Sequence, residues 1–270
     1  MLEAKLARLR AIFAPLDKVL VAFSGGVDSS FVLKVAHDVL DERVVALTTT
    51  SPTMPEQDRL SALAIAGQIG VRHLVIESNE LEIPGYAHNP LNRCYLCKHN
   101  LFVVCGAKAR ELQIDTIIDG LNLDDLHDYR PGIKASAELQ VRHPLVEAEL
   151  TKDEIRALSR QLGLTTWDRP ASPCLSSRFP YGTLITEDAL RKVERGEQVL
   201  RELGFRVARV RYHGDVARIE IEVREIPRLL EPATRARVDA KLRQLGFRFV
   251  AVDLKGFRSG SLNETINRQK

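Results

Sequence analysis

The sequence predicts an α/β protein: a doubly wound parallel sheet followed by a small C-terminal α+β domain. Two patterns carry this prediction. Up to about residue 170, short runs rich in β-branched residues alternate with amphipathic helical segments, as in parallel strands joined by crossover helices. After about residue 180, the order becomes helix, two strands, helix and strand. Ligands of a doubly wound sheet bind beyond the carboxyl ends of its strands, so functional residues are expected in the loops there.

Length and composition are typical of a globular protein. The 270 residues suffice for one large and one smaller domain, and 44% are hydrophobic while 28% are charged. No apolar run approaches the roughly 18 residues of a membrane span, and the N-terminal segment lacks the apolar stretch of a secretory signal. A net charge of +3 permits a phosphate-bearing ligand without demanding a nucleic acid. We therefore expect a cytoplasmic protein with reduced thiols that binds neither membrane nor nucleic acid.

The predicted elements follow from the periodicity in chain order. In the first part, strands are predicted at 18–23, 43–49, 71–77 and 114–119, with helices near 28–40, 55–69 and 97–112. A further helix opens at Thr151, because a threonine followed three residues later by Glu154 forms a capping box. In the second part, a helix is predicted at 186–203, strands at 206–212 and 217–223, a helix at 225–245 and a strand at 248–254, with an antiparallel sheet.

A proline-rich stretch separates the two parts. Pro170, Pro173 and Pro180 forbid a continuous helix between them. The predicted domains are residues 1–170, a linker at 171–183 that carries Cys174, and residues 184–270.

The most specific local signal is the stretch VLVAFSGGVDSS at residues 19–30, where a buried strand turns into a helix. Gly25 and Gly26 let the backbone approach an anion closely, and the helix N-terminus presents free N–H groups to it. Ser24 and Ser29 add hydroxyl groups. No Gly-Lys-Ser/Thr follows, so the stretch is not a Walker A loop, and it also lacks the dinucleotide pattern G-x-G-x-x-G. The sequence predicts a phosphate-binding loop of another kind.

This loop resembles the S-G-G-x-D-S signature of the PP-loop ATP pyrophosphatases, which cleave ATP to AMP and pyrophosphate while adenylating a substrate oxygen. The resemblance implies that Asp28 holds a magnesium ion on the ATP phosphates, which agrees with the preference of Mg²⁺ for one or two carboxylates plus phosphate oxygens. Thr48 and Gly120, at the carboxyl ends of the second and fourth predicted strands, are assigned to nucleotide binding.

Three of the four cysteines are candidates for a metal centre. Cys94 and Cys97 form a C-x-x-C pair, and Cys174 lies in the linker. Such a pair can be redox-active, bind zinc or hold part of an iron–sulfur cluster. A structural zinc would need a fourth ligand, such as His88 or His99. Cys105, within an apolar helical run, is predicted to be a core residue.

Over nearly its whole length the chain resembles the LarE family of ATP-dependent sulfurtransferases. The resemblance is carried by AFSGGVDSS, DGLNLDDLHDYRPG (119–132), SSRFPYGT (176–183), RVRYHGD (209–215) and GFRSGSLN (256–263). It implies that the carboxylates of pyridinium-3,5-biscarboxylic acid mononucleotide are adenylated with ATP and then thiolated. The product serves the nickel-pincer nucleotide cofactor of lactate racemase. The resemblance also implies a homo-oligomer.

Two kinds of this family differ in their sulfur source. One sacrifices a cysteine five positions before the arginine of SSRFPYG, and the other binds a 4Fe-4S cluster through three cysteines. Here Pro173 occupies the position of the sacrificial cysteine. The departure favours the second kind, with Cys94, Cys97 and Cys174 as cluster ligands and catalytic residues together with Asp28.

The substrate phosphate and carboxylates require an anion-binding surface. Arg209 and Arg211 alternate along a predicted strand, so both leave the same face about 6–7 Å apart and suit phosphate or carboxylate. The alternative is a solvated strand face on a basic protein. The resemblance extends substrate binding to Ser177 and Arg178, and the position after the fourth strand extends it to Asp128 and Arg130.

Three other functions are compatible with a phosphate loop of this kind. A PP-loop tRNA thiolase would need RNA-binding modules, for which four cysteines and a charge of +3 leave little room. A GMP-synthetase-like amidating enzyme would need an ammonia source. A nucleotide sensor or metal store would bind ATP without releasing pyrophosphate.

Overall fold

The structure is a computed structural model that describes residues 2–127, 132–258 and 260–261. The chain divides into two compact units. The first unit comprises Met1–Glu80 and Leu91–Ser172, and the second comprises Leu81–Pro90 and Pro173–Lys270. The second unit therefore includes a short segment, residues 81–90, that lies between elements of the first unit in sequence.

The strands and helices that the periodicity predicts in the first unit are present, each within about four residues of its predicted bounds, and three further helices, at Leu2–Phe13, Gly132–Glu138 and Pro144–Glu147, were not predicted. In chain order the elements of this unit are α1 (Leu2–Phe13), β1 (Val19–Ala22), α2 (Val27–Leu40), β2 (Val44–Thr50), α3 (Glu56–Ile69), β3 (Arg72–Glu77), α4 (Arg93–Glu111), β4 (Thr116–Ile118), α5 (Gly132–Glu138), α6 (Pro144–Glu147) and α7 (Lys152–Gln161).

The strands of the first unit form a parallel sheet in the order β3-β2-β1-β4. This confirms the predicted α/β fold. β1 lies in the middle and pairs with β2 on one side and β4 on the other, so the strand order reverses direction at β1. Such a switch point opens a crevice at the carboxyl ends of the two central strands. The residues that follow β1 and β4 are therefore the expected position of a ligand.

The two elements that flank the phosphate loop, β1 and α2, are packed in the core of the first unit. All four residues of β1 are buried, and so are nine of the fourteen residues of α2. Phe13 from α1 and Phe31 from α2 are fully buried in the same cluster. Burial of apolar area of this extent is the main stabilising contribution to the fold. The phosphate loop thus connects two well-packed elements.

The second unit contains α8 (Glu187–Glu202), β5 (Ala208–His213), β6 (Val216–Ile221), α9 (Ile226–Leu230), α10 (Pro232–Gln244) and β7 (Phe249–Val252). Its sheet has the order β5-β6-β7. β5 and β6 are antiparallel as predicted, but β6 and β7 are parallel. The prediction of a purely antiparallel sheet was therefore wrong for β7, because the two helices between β6 and β7 provide the crossover that a parallel pair requires.

The predicted helix at 225–245 is interrupted. α9 ends at Leu230, and α10 begins at Pro232. Glu231 has an extended backbone with ψ of 136°. A residue before proline is disfavoured in the helical conformation, whereas proline itself is well suited to the first turn. The break therefore follows from Pro232. None of the helices that the structure describes is both long and apolar enough to cross a membrane.

Candidate functional site

The loop between β1 and α2 has the geometry of an anion-binding turn. Gly25 adopts φ of +69°, and a Cβ atom on it would lie 2.7 Å from the backbone nitrogen of Ala62. Gly26 is the N-cap of α2 and has no side chain to cap the first turn, while its own N–H group donates to the Ser24 hydroxyl at 3.4 Å. The Ser24 and Ser29 hydroxyl groups lie 3.0 Å apart across the turn. The loop therefore has glycine where it is sterically needed, and it presents N–H and O–H groups together.

The loop after β4 lies directly against this turn. A Cβ atom on Gly120 would be 2.7 Å from the backbone nitrogen of Ser29. Gly120 therefore allows the end of β4 to approach the first turn of α2. The five predicted loop residues and Gly120 are brought together by the switch point, which makes this the candidate nucleotide site.

The Asp28 carboxylate contacts two other side chains of this site. It forms an ion pair with the Lys152 ammonium group and accepts a hydrogen bond of 3.3 Å from the Asn122 side-chain amide. Neither partner was predicted from the sequence. Lys152 is 124 residues away in the chain, and Asn122 is 94 residues away. Only the fold brings the first residue of α7 to the phosphate loop.

Arg169 supports the loop from the other side. One guanidinium nitrogen donates to the Gly25 carbonyl oxygen at 2.9 Å and to the Ser61 hydroxyl at 2.6 Å. The other pairs with Asp58, which also accepts a hydrogen bond from Ser172. Arg169 lies in the predicted first domain, and the first two residues of the predicted linker, up to Ser172, also belong to the first unit.

The carboxylate at the end of β4 is stabilised as an anion. The Asp119 carboxylate lies 2.7 Å from Nδ1 of His143 and accepts a 3.0 Å hydrogen bond from the Leu121 N–H group. Burial would raise the pKa of Asp119, but the hydrogen bond from His143 and the charge of Lys98 outweigh it and hold that pKa below its usual value. These bonds fix the turn that carries Gly120 and Asn122.

Thr48 is buried at the carboxyl end of β2, as its position predicts. Its hydroxyl group donates to the Phe23 carbonyl oxygen at 2.8 Å and lies 2.8 Å from Nε2 of His73. The hydroxyl is therefore engaged within the protein, and nucleotide contact at this position stays a prediction.

Cys94 and Cys97 lie in the first two turns of α4. They are three residues apart and so share one face of the helix. Cys94 is exposed and Cys97 is partly exposed. The Cys97 thiol lies 4.0 Å from the carboxylate of the buried Glu80. Cys105, further along α4, is fully buried, which confirms its prediction as a core residue. Burial raises the pKa of its thiol to about 12.

Cys174 belongs to the second unit, where it precedes a short 3₁₀ turn at Leu175–Arg178. Its thiol is partly exposed. Arg178 is 1% exposed and holds this segment in place. Its Nη1 donates to the carbonyl oxygens of Pro173 and Cys174 at 2.6 and 3.0 Å. Its Nε and Nη2 form a bidentate ion pair with Glu197.

The arrangement at Glu197 is a buried charge network. Burial would raise the pKa of Glu197, but the charge and hydrogen bonds of Arg178, the charge of Arg209 and the Val210 N–H group hold that pKa below its usual value. Burial lowers the pKa of Arg209 to about 10, helped by the charge of Arg178 and opposed by that of Glu197. Several guanidinium groups therefore crowd around one carboxylate.

Arg209 and Arg211 are 8% and 7% exposed, so the alternative of a solvated strand face is wrong. Arg211 donates to the Ser177 carbonyl oxygen at 2.7 Å and pairs with Glu220 at 2.6 Å. Its Nε is buried and has no hydrogen-bond partner among the described residues. Four of the predicted substrate-binding residues, Ser177, Arg178, Arg209 and Arg211, are thus gathered in the second unit.

Some predicted site residues remain without structural assignment. Asp128 and Arg130 lie outside the residues that the structure describes. Within the described ranges, no group of three or more histidine, cysteine, aspartate or glutamate side chains is arranged to hold a metal ion. Cys94 and Cys97 lie in the first unit and Cys174 in the second.

The phosphate loop and the sheet around it match a known family. The model of the NAD synthase family matches residues 9–89, which include β1, the loop and α2. The glutamine-hydrolyzing GMP synthase of Staphylococcus epidermidis is 26% identical over 208 residues, which cover 69% of this chain and 40% of that protein. These matches agree with an ATP-dependent enzyme of the PP-loop type.

Two relatives match the whole chain. An uncharacterized protein of Synechocystis is 44% identical over 268 residues, which cover 99% of this chain and 100% of the relative. Pyridinium-3,5-bisthiocarboxylic acid mononucleotide synthase of Lactiplantibacillus plantarum is 39% identical over 268 residues, which cover 99% of this chain and 96% of the relative. The chain is therefore an ATP-dependent enzyme that belongs to the family of this synthase, the LarE family.

Proposed function

We propose that the enzyme is a sulfurtransferase that converts both carboxylates of pyridinium-3,5-biscarboxylic acid mononucleotide into thiocarboxylates, for the nickel-pincer nucleotide cofactor of lactate racemase. The observation that carries this proposal is the 39% identity to the synthase over nearly the full length of both chains. The aligned region includes both units. It therefore covers the second unit, with Arg209, Arg211 and Cys174, as well as the ATP-binding fold.

The first step in this proposal is adenylation. A carboxylate is a poor electrophile because attack must expel an oxide. A carboxylate oxygen of the substrate attacks the α-phosphorus of ATP, the bond to pyrophosphate breaks, and an acyl-adenylate forms. The N–H groups at the start of α2 would stabilise the negative charge of the phosphates, as helix N-termini do for bound anions. Sulfide then replaces AMP, which is a good leaving group, and the two steps are repeated on the second carboxylate.

Asp28 is the proposed magnesium ligand. Its carboxylate is partly exposed in the first turn of α2, beside the phosphate loop, and such a group suits an ion that is shared with phosphate oxygens. A bound magnesium ion would neutralise charge that develops on the pyrophosphate. Ser24, Gly25, Gly26, Ser29 and Gly120 are the proposed nucleotide contacts.

Cys94, Cys97 and Cys174 are the proposed ligands of a 4Fe-4S cluster. The donor set suits such a cluster, because none of the three cysteines is disulfide-bonded or buried among the described residues, and two of them lie on one helix face. A cluster held by three cysteines has one iron without a protein ligand, and in the bound state it would supply a site for sulfide. Cys105 is not one of the proposed ligands, because it is fully buried in a hydrophobic core cluster.

The second unit is proposed to bind the substrate anion. Arg211 has a buried Nε that lacks a partner among the described residues, and Arg209 lies beside it on β5. Both side chains suit phosphate or carboxylate. Ser177 and Arg178 lie in the segment that Arg211 contacts through the Ser177 carbonyl oxygen, and Asp128 and Arg130 stay proposals. Assembly as a homo-oligomer and a cytoplasmic location are proposed from the family resemblance.

The proposal is tested by measuring pyrophosphate release from ATP and Mg²⁺ with the intact protein. We expect release to depend on pyridinium-3,5-biscarboxylic acid mononucleotide. Nicotinamide mononucleotide is the matched control, because it has the ring and phosphate but no carboxylate to adenylate. Equal release with both nucleotides, or none with either, would contradict the proposed substrate.

A further inference from the structure

The segment that follows β7 carries the motif GFRSGS, to which neither the phosphate loop nor the cysteines give a role. We call it the post-β7 segment, and the structure describes it at residues 253–258 and 260–261. It belongs to the second unit, as do Arg209 and Arg211 on β5, which are proposed to bind the substrate anion. Contacts between the segment and these arginines indicate what the motif does.

The backbone of the post-β7 segment is fixed against β6. The Asp253 N–H group donates to the Ile219 carbonyl oxygen at 2.9 Å. The Phe257 N–H group donates to the Ile221 carbonyl oxygen at 2.7 Å. Gly256 adopts φ of +63°, and a Cβ atom on it would lie 2.6 Å from the Ile221 carbonyl oxygen. Glycine at this position therefore allows the segment to lie directly on the end of β6.

Ion pairs hold the start of the segment. The Asp253 carboxylate pairs with Arg218 on β6 and with Arg258 of the segment, each at 3.4 Å. Arg218 pairs in turn with the fully buried Glu220 at 3.0 Å. The segment is thus tied to the same carboxylate with which Arg211 forms its ion pair.

Phe257 contacts the first of the two arginines. The guanidinium carbon of Arg209 lies 5.3 Å from the centroid of the Phe257 ring, within the distance at which a ring face attracts a cation. Burial and then the charge of Arg178 lower the pKa of Arg209, so its surroundings disfavour this cation. The ring offsets part of that cost and limits the directions in which the guanidinium group can point.

Ser261 contacts the second arginine. It is 8% exposed, and its hydroxyl oxygen accepts a 2.9 Å hydrogen bond from Nη2 of Arg211. The same hydroxyl group donates to the Glu220 carboxylate at 3.4 Å. The other terminal nitrogen of Arg211 donates to the Ser177 carbonyl oxygen. Both terminal nitrogens of this guanidinium group are therefore held by the protein.

We propose that the post-β7 segment orients the two anion-binding arginines before the substrate arrives, with Phe257 acting on Arg209 and Ser261 acting on Arg211. Both are positioning residues, because they act through the guanidinium groups. An arginine side chain has much rotamer freedom to lose, so its prior orientation reduces the entropic cost of binding an anion. This inference rests on the proposed function.

The first test measures the affinity of the full-length protein for pyridinium-3,5-biscarboxylic acid mononucleotide by calorimetry. We expect Ser261→Ala and Phe257→Leu each to weaken it by about threefold to tenfold, the effect of losing one hydrogen bond or one ring contact. Magnesium–ATP is proposed to bind in the first unit, so its affinity should change by less than about twofold. Ser261→Thr keeps the hydroxyl group and should recover most of the loss.

Phe249→Leu is the matched control for Phe257→Leu, because Phe249 lies on β7 in the same unit and is 60% exposed. It should leave both affinities unchanged. Thermal melting verifies that each variant is folded.

The second test needs no ligand. The side-chain Nε–H signals of isotope-labelled arginine report how firmly each guanidinium group is held. We expect the order parameter of Arg211 to fall from about 0.85 to below about 0.6 in Ser261→Ala. Arg228, whose guanidinium carbon lies 3.8 Å from the centroid of the Phe205 ring, is the internal control and should keep its value.

Unchanged mononucleotide affinity in both variants, an equal loss of ATP affinity, or an unchanged Arg211 signal would overturn the inference. If the unaltered protein does not bind the mononucleotide at all, the proposed function fails instead, and the Arg211 signal alone then decides whether Ser261 positions this arginine.

Discussion

At the scale of single residues, buried charges determine how the second unit presents its site. Arg178 is fully buried, and its guanidinium group is shared between Glu197 and the backbone carbonyls of Pro173 and Cys174. It therefore acts on the thiol at 174 by positioning the main chain. A sequence motif indicates that such an arginine matters, but it does not distinguish ligand binding from internal support.

Glu197→Gln is predicted to destabilise the protein by about 3 kcal/mol, because it leaves the buried Arg178 charge without its counter-ion. Urea denaturation at neutral pH measures this loss. Glu222→Gln is the control, because Glu222 pairs with Arg224, whose side chain is 80% exposed, and water screens this pair so that little loss of stability is expected.

The effect of Glu197→Gln should depend on pH. The pKa of Glu197 is lowered in the folded protein, so its charge contributes stability above the unfolded value near 4.5. That contribution is lost as the pH falls through the lower folded value. The difference between Glu197→Gln and the unaltered protein should therefore shrink below about pH 4. A difference that grows in acid would contradict this account.

At the scale of elements, the switch point of the parallel sheet assembles the phosphate site. β1 and β4 are neighbours, so the loops at Gly25 and Gly120 meet at the start of α2. α7 lies outside the sheet and contributes Lys152, which pairs with Asp28 at the phosphate loop. Its capping box fixes the end that carries Lys152.

Thr151→Ala is predicted to cost about 1 kcal/mol of stability through loss of the helix cap, and to weaken ATP binding several-fold because Lys152, which pairs with Asp28 at the phosphate loop, loses its fixed base. Thr186→Ala is the matched control. Thr186 caps α8 in the other unit by accepting from the Ala189 N–H group at 3.2 Å, so a similar stability loss is expected with unchanged ATP affinity. Melting curves and calorimetry measure both effects. Unchanged ATP affinity in Thr151→Ala would contradict the role given to this cap.

Local patterns predict elements better than they predict long-range partners. The loop at 24–29 and the cap at Thr151 were both predictable, because strand, turn and cap each have a short signature. Asn122 and Lys152 carry no such signature, since their importance arises only from contacts with Asp28. The break at Pro232 had a local signal, but the helical periodicity on both sides outweighed it.

At the scale of the whole molecule, the four cysteines fall into two groups. Cys94 is exposed and Cys97 and Cys174 are partly exposed, whereas Cys105 is fully buried, and its burial raises the pKa of its thiol to about 12. The sequence alone predicted this grouping from the polarity of the neighbouring residues. The convergence of the first three around one centre stays a prediction.

Anaerobic purification with iron, sulfide and zinc analysis tests that grouping. We expect iron and sulfide in the intact protein, and their loss in each of Cys94→Ala, Cys97→Ala and Cys174→Ala. Cys105→Ala is the control and should retain both. Zinc without iron in the intact protein would contradict the cluster and indicate a structural zinc site instead.

The segment at residues 81–90 can complete its folding only after the rest of the second unit has been synthesised. Tyr86 is fully buried in the second unit and hydrogen-bonds to Ser176, while Asn89 donates to the carbonyl oxygens of Phe179 and Pro180. During translation this segment leaves the ribosome about ninety residues before these partners. The segment cannot form these contacts until the later part of the chain has been synthesised. A fragment that starts at residue 173 would lack residues 81–90, which include part of the core of the second unit.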